Sequence, residues 1–182
     1  MQKHIHEILV HLGENPERAG LKDTPKRVSE SLKELTSGYQ VSASDVIGDS
    51  LFKAPSQDLV IQQNMEFYSL CEHHLLPFFG KAHIAYIPDR HIIGLSKMGR
   101  IIDVFSQRLQ VQERLTHEIA EALFNTLKPQ GLAIVIEAQH FCMMMRGIKK
   151  QGSITSTQSL RGTFANDPQL RREVMSQLTA RR

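Results

Sequence analysis

Tryptophan is absent from the 182-residue chain, cysteine occurs only twice, and aromatic residues make up 6%. No apolar run approaches the ~20 residues of a membrane span, so no membrane helix is expected. The opening stretch MQKHIHEILVHL breaks its apolar residues with charge and histidine, which does not read as an export signal. With two cysteines and no such signal, a reducing, cytoplasmic setting with free thiols or thiolates is expected, and a Cys71–Cys142 disulfide is the rival. Aromatics are scarce, and Lys and Arg are spread along the chain. Both facts argue against a nucleic-acid partner, which would gather basic and aromatic residues in one patch. The net charge of +3 fits a small anionic substrate.

Apolar content of 41% and charged content of 23% suit one well-buried domain with a small appendage. Ile5, Ile8, Leu9 and Leu12 make a short helical stripe that stops at Gly13. Thr24-Pro25 offers a cap followed by proline at the first helical position, and Val28, Leu32 and Leu35 continue at helical spacing to Gly38. Residues 39–57 read as connection, which makes 1–57 an N-terminal helical region. The pattern then changes. Leu59–Tyr68 and Lys81–Ile87 read as strands, 97–127 as a helix broken near Gln107–Gln110, and Ala133–Met145 as one long strand. Val111, Leu115, Ile119 and Leu123 recur at four-residue steps until Lys128-Pro129-Gln130-Gly131 stops them. Thr155, Thr157 and Ser159 suit a polar strand or loop, and Asn166-Asp167-Pro168 caps a last helix. This order predicts an α+β fold, with 58–182 as the larger unit.

One scarce cysteine lies in S-L-C-E-H-H, residues 69–74, and the other in H-F-C, residues 140–142. The C-x-x-H spacing lets one tight turn offer the Cys71 thiolate and the His74 imidazole to a single cation. Taken alone, the pair reads better as a buried cysteine beside ordinary surface histidines. The second cysteine changes that reading. On a strand, His140, Cys142 and Met144 share a face, with Arg146 in phase and roughly 6.5–7 Å between His140 and Cys142. Two cysteines and a histidine form a catalytic zinc set whose fourth position stays open. Such an ion lowers the pKa of its water toward ~7, and the left-over histidines become candidates for proton transfer. Spacing leaves His73, His74 and His140 interchangeable as ligands, and other divalent ions suit the same set.

In G-L-S-K-M-G-R, residues 94–100, Ser96 is a candidate N-cap, so Lys97 and Arg100 fall in a first helical turn. Cations there oppose the helix macrodipole, unless a phosphate sits at that helix start. A solvated basic turn accounts for them equally. In L-Q-V-Q-E-R-L, Glu113 reads first as an exposed helix residue. Its carboxylate also matches the two parallel donors, N1–H and the 2-amino group, on the edge of guanine. Met143–Met145 read as core or pocket filler.

Together, C-E-H-H-L-L-P-F-F-G-K, Y-I-P, I-G-L-S-K, R-L-Q-V-Q-E-R-L-T, H-F-C-M-M-M-R-G and G-L-K-D-T-P-K-R-V resemble the GTP cyclohydrolase I family, from about Gly13 to the final helix. The resemblance implies the tunnelling fold, an antiparallel sheet backed by helices, with 58–182 as the catalytic domain. It implies Zn2+ on Cys71, His74 and Cys142, with His73 left to protonate the imidazole ring and His140 near the ribose. It implies Glu113 and Gln112 as guanine contacts. Lys97, Arg100 and Arg146 become triphosphate contacts, with Ser96 alongside and Arg27 as a further one. The implied reaction opens the guanine of GTP at C8, releases formate and yields 7,8-dihydroneopterin triphosphate, which enters folate or tetrahydrobiopterin synthesis. Known members are largely homodecamers with active sites where subunits meet. Glu72 matches the motif without a catalytic step, and support of a ligand is open to it.

Two residues depart from expectation. Gly99 lies in the phosphate-helix turn at a cost of roughly 1 kcal/mol relative to alanine, and Arg161 is bulky and charged within a Ser/Thr-rich tail. A nitrile reductase of the same fold would have no need of the zinc set. A zinc nucleobase deaminase would carry H-x-E and P-C-x-x-C, which are missing. A zinc-stabilised binding module would close its metal with four protein ligands and turn nothing over.

Overall fold

The computed structural model describes residues 1–48 and 50–179. The two predicted N-terminal helices form as α1 (Gln2–His11) and α2 (Thr24–Leu35), packed on one another. Asp23 rather than Thr24 occupies the cap position of α2, and Pro25 sits in the first turn, where its missing N–H has no helical partner to lose. The expected connection is more ordered than its composition suggests. After a 3₁₀ turn at Ser37–Gln40 it forms α3 (Ala43–Ile47) and β1 (Leu51–Lys53), and Ile47 is buried in the main core.

Three long strands follow the predicted apolar runs, β2 (Val60–Cys71), β3 (Pro77–Ile87) and β6 (Gly131–His140), and a fourth, β7 (Thr155–Gly162), forms in the polar tail. Two short ones, β4 (His91–Ile93) and β5 (Leu109–Gln110), complete the set. β1 and β4 make a two-stranded ribbon, and the main sheet runs β5-β2-β3-β6-β7, antiparallel except for the β2–β5 pair. The polar segment from Thr155 is therefore a strand, on the sheet edge.

Alternation along β3 and β6 divides the sheet's two faces. Phe78, Ala82, Ile84 and Tyr86 of β3 and Leu132, Ile134 and Ile136 of β6 point to one side. They pack there against α4 (Leu95–Ser106) and α5 (Gln112–Leu127), through Met98, Ile101, Leu115, Ile119 and Leu123. Each such side chain, fully buried, stabilises the fold by about 1.5–3 kcal/mol. Ala85, Ala133 and Val135 point to the other side. That side is covered by Phe164 of α7 (Thr163–Asn166) and by Val174 and Leu178 of α8 (Pro168–Thr179). Asp167 caps α8, its Oδ1 accepting from Gln169 N at 2.8 Å and Leu170 N at 3.2 Å. Gly80 lets β3 and β6 approach closely, because a Cβ there would overlap the Glu137 carbonyl.

Two local expectations are corrected. The strand expected over 133–145 stops at His140, and Phe141–Met144 form a helical turn, α6. Its ladder partners run out: His140 pairs with Phe78 near the start of β3, and Ala138 pairs with Thr155 at the start of β7. Beyond that point a strand would have no hydrogen-bonding neighbour. At α4, Gly94 rather than Ser96 is the cap residue, so Ser96 lies inside the helix. Arg161 is accommodated as a clamp between β7 and α5, with Nε donating to Glu121 Oε1 at 2.9 Å and a terminal nitrogen donating to His117 Nδ1 at 3.1 Å. Among the described residues, no helix is long and apolar enough to cross a membrane.

Candidate metal centre and active-site cleft

The S-L-C-E-H-H stretch closes β2 and turns toward β3. Cys71 N donates to Leu76 O at 2.9 Å and Leu75 N to Cys71 O at 2.8 Å, with Leu75 in the left-handed region at a φ of 54°. This tight turn folds both imidazoles back on the thiol: His73 Nδ1 and His74 Nδ1 each lie 3.9 Å from Cys71 Sγ. The helical turn α6 brings Cys142 to the same place from the far end of β6. Ligand atoms of Cys71, His74 and Cys142 all lie within 4.8 Å of one another, and His73 is outside that set. The α6 turn, rather than strand alternation, is what makes the two motifs converge.

The donor set fits a metal. Tetrahedral Zn2+ with Zn–S near 2.3 Å and Zn–N near 2.0–2.1 Å requires donor–donor separations of about 3.3–3.8 Å; Cys71 Sγ and His74 Nδ1 are 3.9 Å apart, and the whole set falls within 4.8 Å. Burial, and then the adjacent Cys71 thiol, push the Cys142 pKa up, with Arg146 opposing them weakly. Two thiolates side by side are costly without a cation between them, and a bound metal removes that cost by holding both deprotonated.

A cleft of about 190 Å³ opens beside the donors, lined by Cys71, Cys142, His73, His140, Gln112, Glu113 and Met143 among others. His140 stacks flat on Phe78, with ring centroids 4.6 Å apart and planes inclined by 2°. Burial holds its pKa below the ordinary 6.5, partly offset by the nearby Glu113 carboxylate. Glu113 is exposed in the first turn of α5, where a negative charge suits the helix dipole. The adjacent Gln112 is buried at 1% exposure, its Oε1 2.8 Å from His140 Nε2. A larger groove of about 340 Å³ on the opposite sheet face, around Tyr68 and Phe79, holds neither thiol nor imidazole.

A network missed by sequence reasoning braces this turn. Arg114 pairs with Glu72, donates to Leu109 O at 3.0 Å, and donates through Nε to Gln110 Oε1 at 2.9 Å. Gln110 is buried, and its amide nitrogen donates to Glu118 Oε2 at 2.7 Å and Phe105 O at 3.1 Å. The Arg114 guanidinium holds the Glu72 carboxyl below the usual range. Only the Q-V-Q-E-R run could have hinted at it, and no local pattern says where an amide side chain reaches.

The structure therefore gathers Cys71, His73, His74, His140, Cys142, Gln112 and Glu113 around one cleft, with Arg146 near Cys142. Ser96, Lys97, Arg100 and Arg27 do not line it. Lys97 Nζ donates to Val46 O at 2.8 Å, and Arg27 pairs with Asp23 at 3.4 Å on exposed α2.

A family model described as GTP cyclohydrolase I matches residues 1–179. The chain belongs to the GTP cyclohydrolase I family. The GTP cyclohydrolase 1 of Leptospira biflexa is 51% identical over 175 residues, covering 96% of each chain. That of Synechococcus sp. JA-3-3Ab is 52% identical over 172 residues, or 94% of this chain and 75% of its own. The Coxiella burnetii relative is 49% identical, covering 95% of this chain and 94% of its own. An apo archaeosine synthase QueF-like crystal structure is similar over 60% of this chain and 97% of its own, at 16% identity and a TM-score of 0.49. Family membership makes the chain an enzyme of this class with the tunnelling fold, and the α+β arrangement of helices on an antiparallel sheet agrees with it.

Proposed function

We propose that this chain hydrolyses the guanine imidazole ring of GTP at C8, releases formate, and rearranges the ribose to give 7,8-dihydroneopterin triphosphate, the first step toward folate or tetrahydrobiopterin. The observation that carries the reading is a Cys71–His74–Cys142 donor set within 4.8 Å, opening on a cleft that also holds His140 and Glu113. Zn2+ held by those three residues would supply Lewis acidity and a water acidified toward a pKa of ~7.

The remaining work falls to the chain's own residues. Glu113 accepts N1–H and the 2-amino group of guanine, which orients C8 toward the donor set. His73 stands next in sequence to the ligand His74 and delivers a proton to the imidazole nitrogen as the ring opens. His140, its pKa held down by burial, exchanges protons with the ribose during rearrangement. Gln112 belongs to the same wall. Arg146, whose charge is felt at Cys142, binds phosphate, joined by Ser96, Lys97, Arg100 and Arg27. Since those four do not line this cleft within one chain, we propose that a homodecamer completes the site, a neighbouring subunit supplying part of the triphosphate contacts. Residues 1–57 form the helical region and 58–182 the catalytic domain in this reading, with α3 and β1 docked on the latter.

The test is incubation of metal-loaded protein with GTP, with formate and a fluorescent oxidised pterin as readouts. Both should appear. Cys142→Ala should lose zinc and activity together, and full activity in that variant would overturn the metal mechanism. His140→Ala should keep zinc while turnover falls; loss of metal there would make His140 a ligand.

A further inference from the structure

Gln112 has been grouped with Glu113 as a guanine contact, yet its side chain is spent inside the protein. Its amide nitrogen donates to Ile136 O at 2.9 Å and Thr155 O at 3.0 Å, and lies 3.1 Å from Thr157 Oγ1. The amide cannot be flipped, because Oε1 would then face two carbonyl oxygens in a buried site. Oε1 therefore points at His140 Nε2, 2.8 Å away, and accepts a hydrogen from it. The Nε2 position therefore carries a hydrogen, and whenever the imidazole holds a single N–H that hydrogen is on Nε2 and the lone pair on Nδ1.

Two threonines hold the amide in turn. Thr116 Oγ1 donates to the Gln112 backbone carbonyl at 2.8 Å, so the 2.7 Å contact between Thr116 and Thr157 is donated by Thr157. That leaves the Thr157 oxygen free to accept, and with two amide hydrogens facing three acceptors it shares one of them, as the longest of the three contacts. Thr157 therefore links the amide to Thr116, which returns to the Gln112 backbone. Phe78 fixes the plane of His140 by stacking, and Gln112 fixes its rotation within that plane.

We propose that Gln112 is a positioning residue that sets the tautomer and orientation of His140, with Thr157 and Thr116 as its anchors, and that it does not itself bind guanine. The inference rests on the proposed role of His140 at the ribose, and Nδ1 is then the nitrogen that meets substrate.

Two readouts test it. In ¹⁵N-histidine-labelled, metal-loaded protein, solid-state NMR should show His140 protonated at Nε2 and bare at Nδ1, the signal being assigned by its loss in His140→Asn. Gln112→Met should remove that preference. In steady-state assays Gln112→Met should lower kcat by on the order of 10- to 100-fold while KM for GTP stays within about 2-fold. Thr157→Ser should match wild type in both readouts, and Thr157→Val should move in the direction of Gln112→Met. A rise in KM at unchanged kcat would make Gln112 a substrate contact and overturn the proposal. So would an Nδ1–H tautomer in the wild type, a result that does not depend on whether Gln112→Met folds. If wild-type protein released no formate from GTP, the functional reading would fail while the tautomer result still judged this inference.

Discussion

Replacing Arg114 with methionine keeps the length of the side chain's stem and removes its donors. The largest consequence lies in Gln110, whose side chain is 1% exposed. The Gln110 amide nitrogen is committed to Glu118 and Phe105, so its Oε1 depends on the 2.9 Å bond from Arg114. Orphaning a buried acceptor costs about 1–3 kcal/mol. The Glu72 pair is solvent-exposed and water screens it, so it adds little. A loss of about 1–3 kcal/mol in a chain of this size lowers Tm by about 2–4 °C per kcal/mol. Glu72→Gln removes the ion pair but leaves Gln110 satisfied, and its midpoint should stay close to wild type. Urea or thermal unfolding of both variants beside wild type is the assay. Equal destabilisation by Glu72→Gln and Arg114→Met would refute the reasoning, because the energy would then lie in the ion pair. Acid supplies a second check. The Glu72 pKa is depressed from its ordinary 4.5, so whatever stability it adds is present above that pH and is lost as pH falls through the lower folded value.

Three other outcomes are expected. Gly99→Ala should stabilise α4 by about 0.4–1 kcal/mol, read as a higher urea midpoint, because an added Cβ meets nothing within 4 Å and the backbone is ordinary helix. His83 is buried, accepts from Asn64 N at 3.4 Å, and has its pKa lowered chiefly by burial, with Glu137 opposing and Lys81 assisting. Its neutral form is the folded one, so stability should be full above pH 6.5 and fall as pH drops through the lower folded value, and His83→Gln should flatten that acid limb in unfolding measured from pH 7 to 5. Dialysis against a chelator should remove a divalent ion and abolish formate release, with Zn2+ restoring both; activity persisting in metal-free protein, verified by elemental analysis, would contradict the mechanism.

Helix α5 was legible because Leu115, Ile119 and Leu123 repeat at four-residue steps, and all three are fully buried. Strands β3 and β6 were legible as apolar runs. The end of β6 was not: Phe141–Met145 carries no glycine or proline, and the strand stops only because β3 and β7 offer no further partner. Tertiary pairing decided what local propensity left open. The helix cap shifted from Ser96 to Gly94 for a similar reason, since Gly94 N donates to Ser50 O at 3.2 Å beside the β1–β4 ribbon, an element hidden in the polar connection. At the site, cysteine scarcity and spacing pointed to Cys71 and Cys142, and the family resemblance separated His74 from His73. The amide-centred networks of Gln110 and Gln112 left no trace in spacing, because they join residues 24 to 45 positions apart or bridge through a single arginine.

The first turn of α5 gives three consecutive side chains three destinations: Gln112 inward to a histidine, Glu113 outward to the cleft, Arg114 sideways to the metal turn. Successive helical residues differ by about 100° in direction. Sliding this turn by one residue, through a single insertion or deletion near Val111, would therefore hand each task to the wrong side chain at once. On the proposed roles, ring recognition, imidazole orientation and bracing of the metal turn share one mechanical index, so they would be gained or lost together.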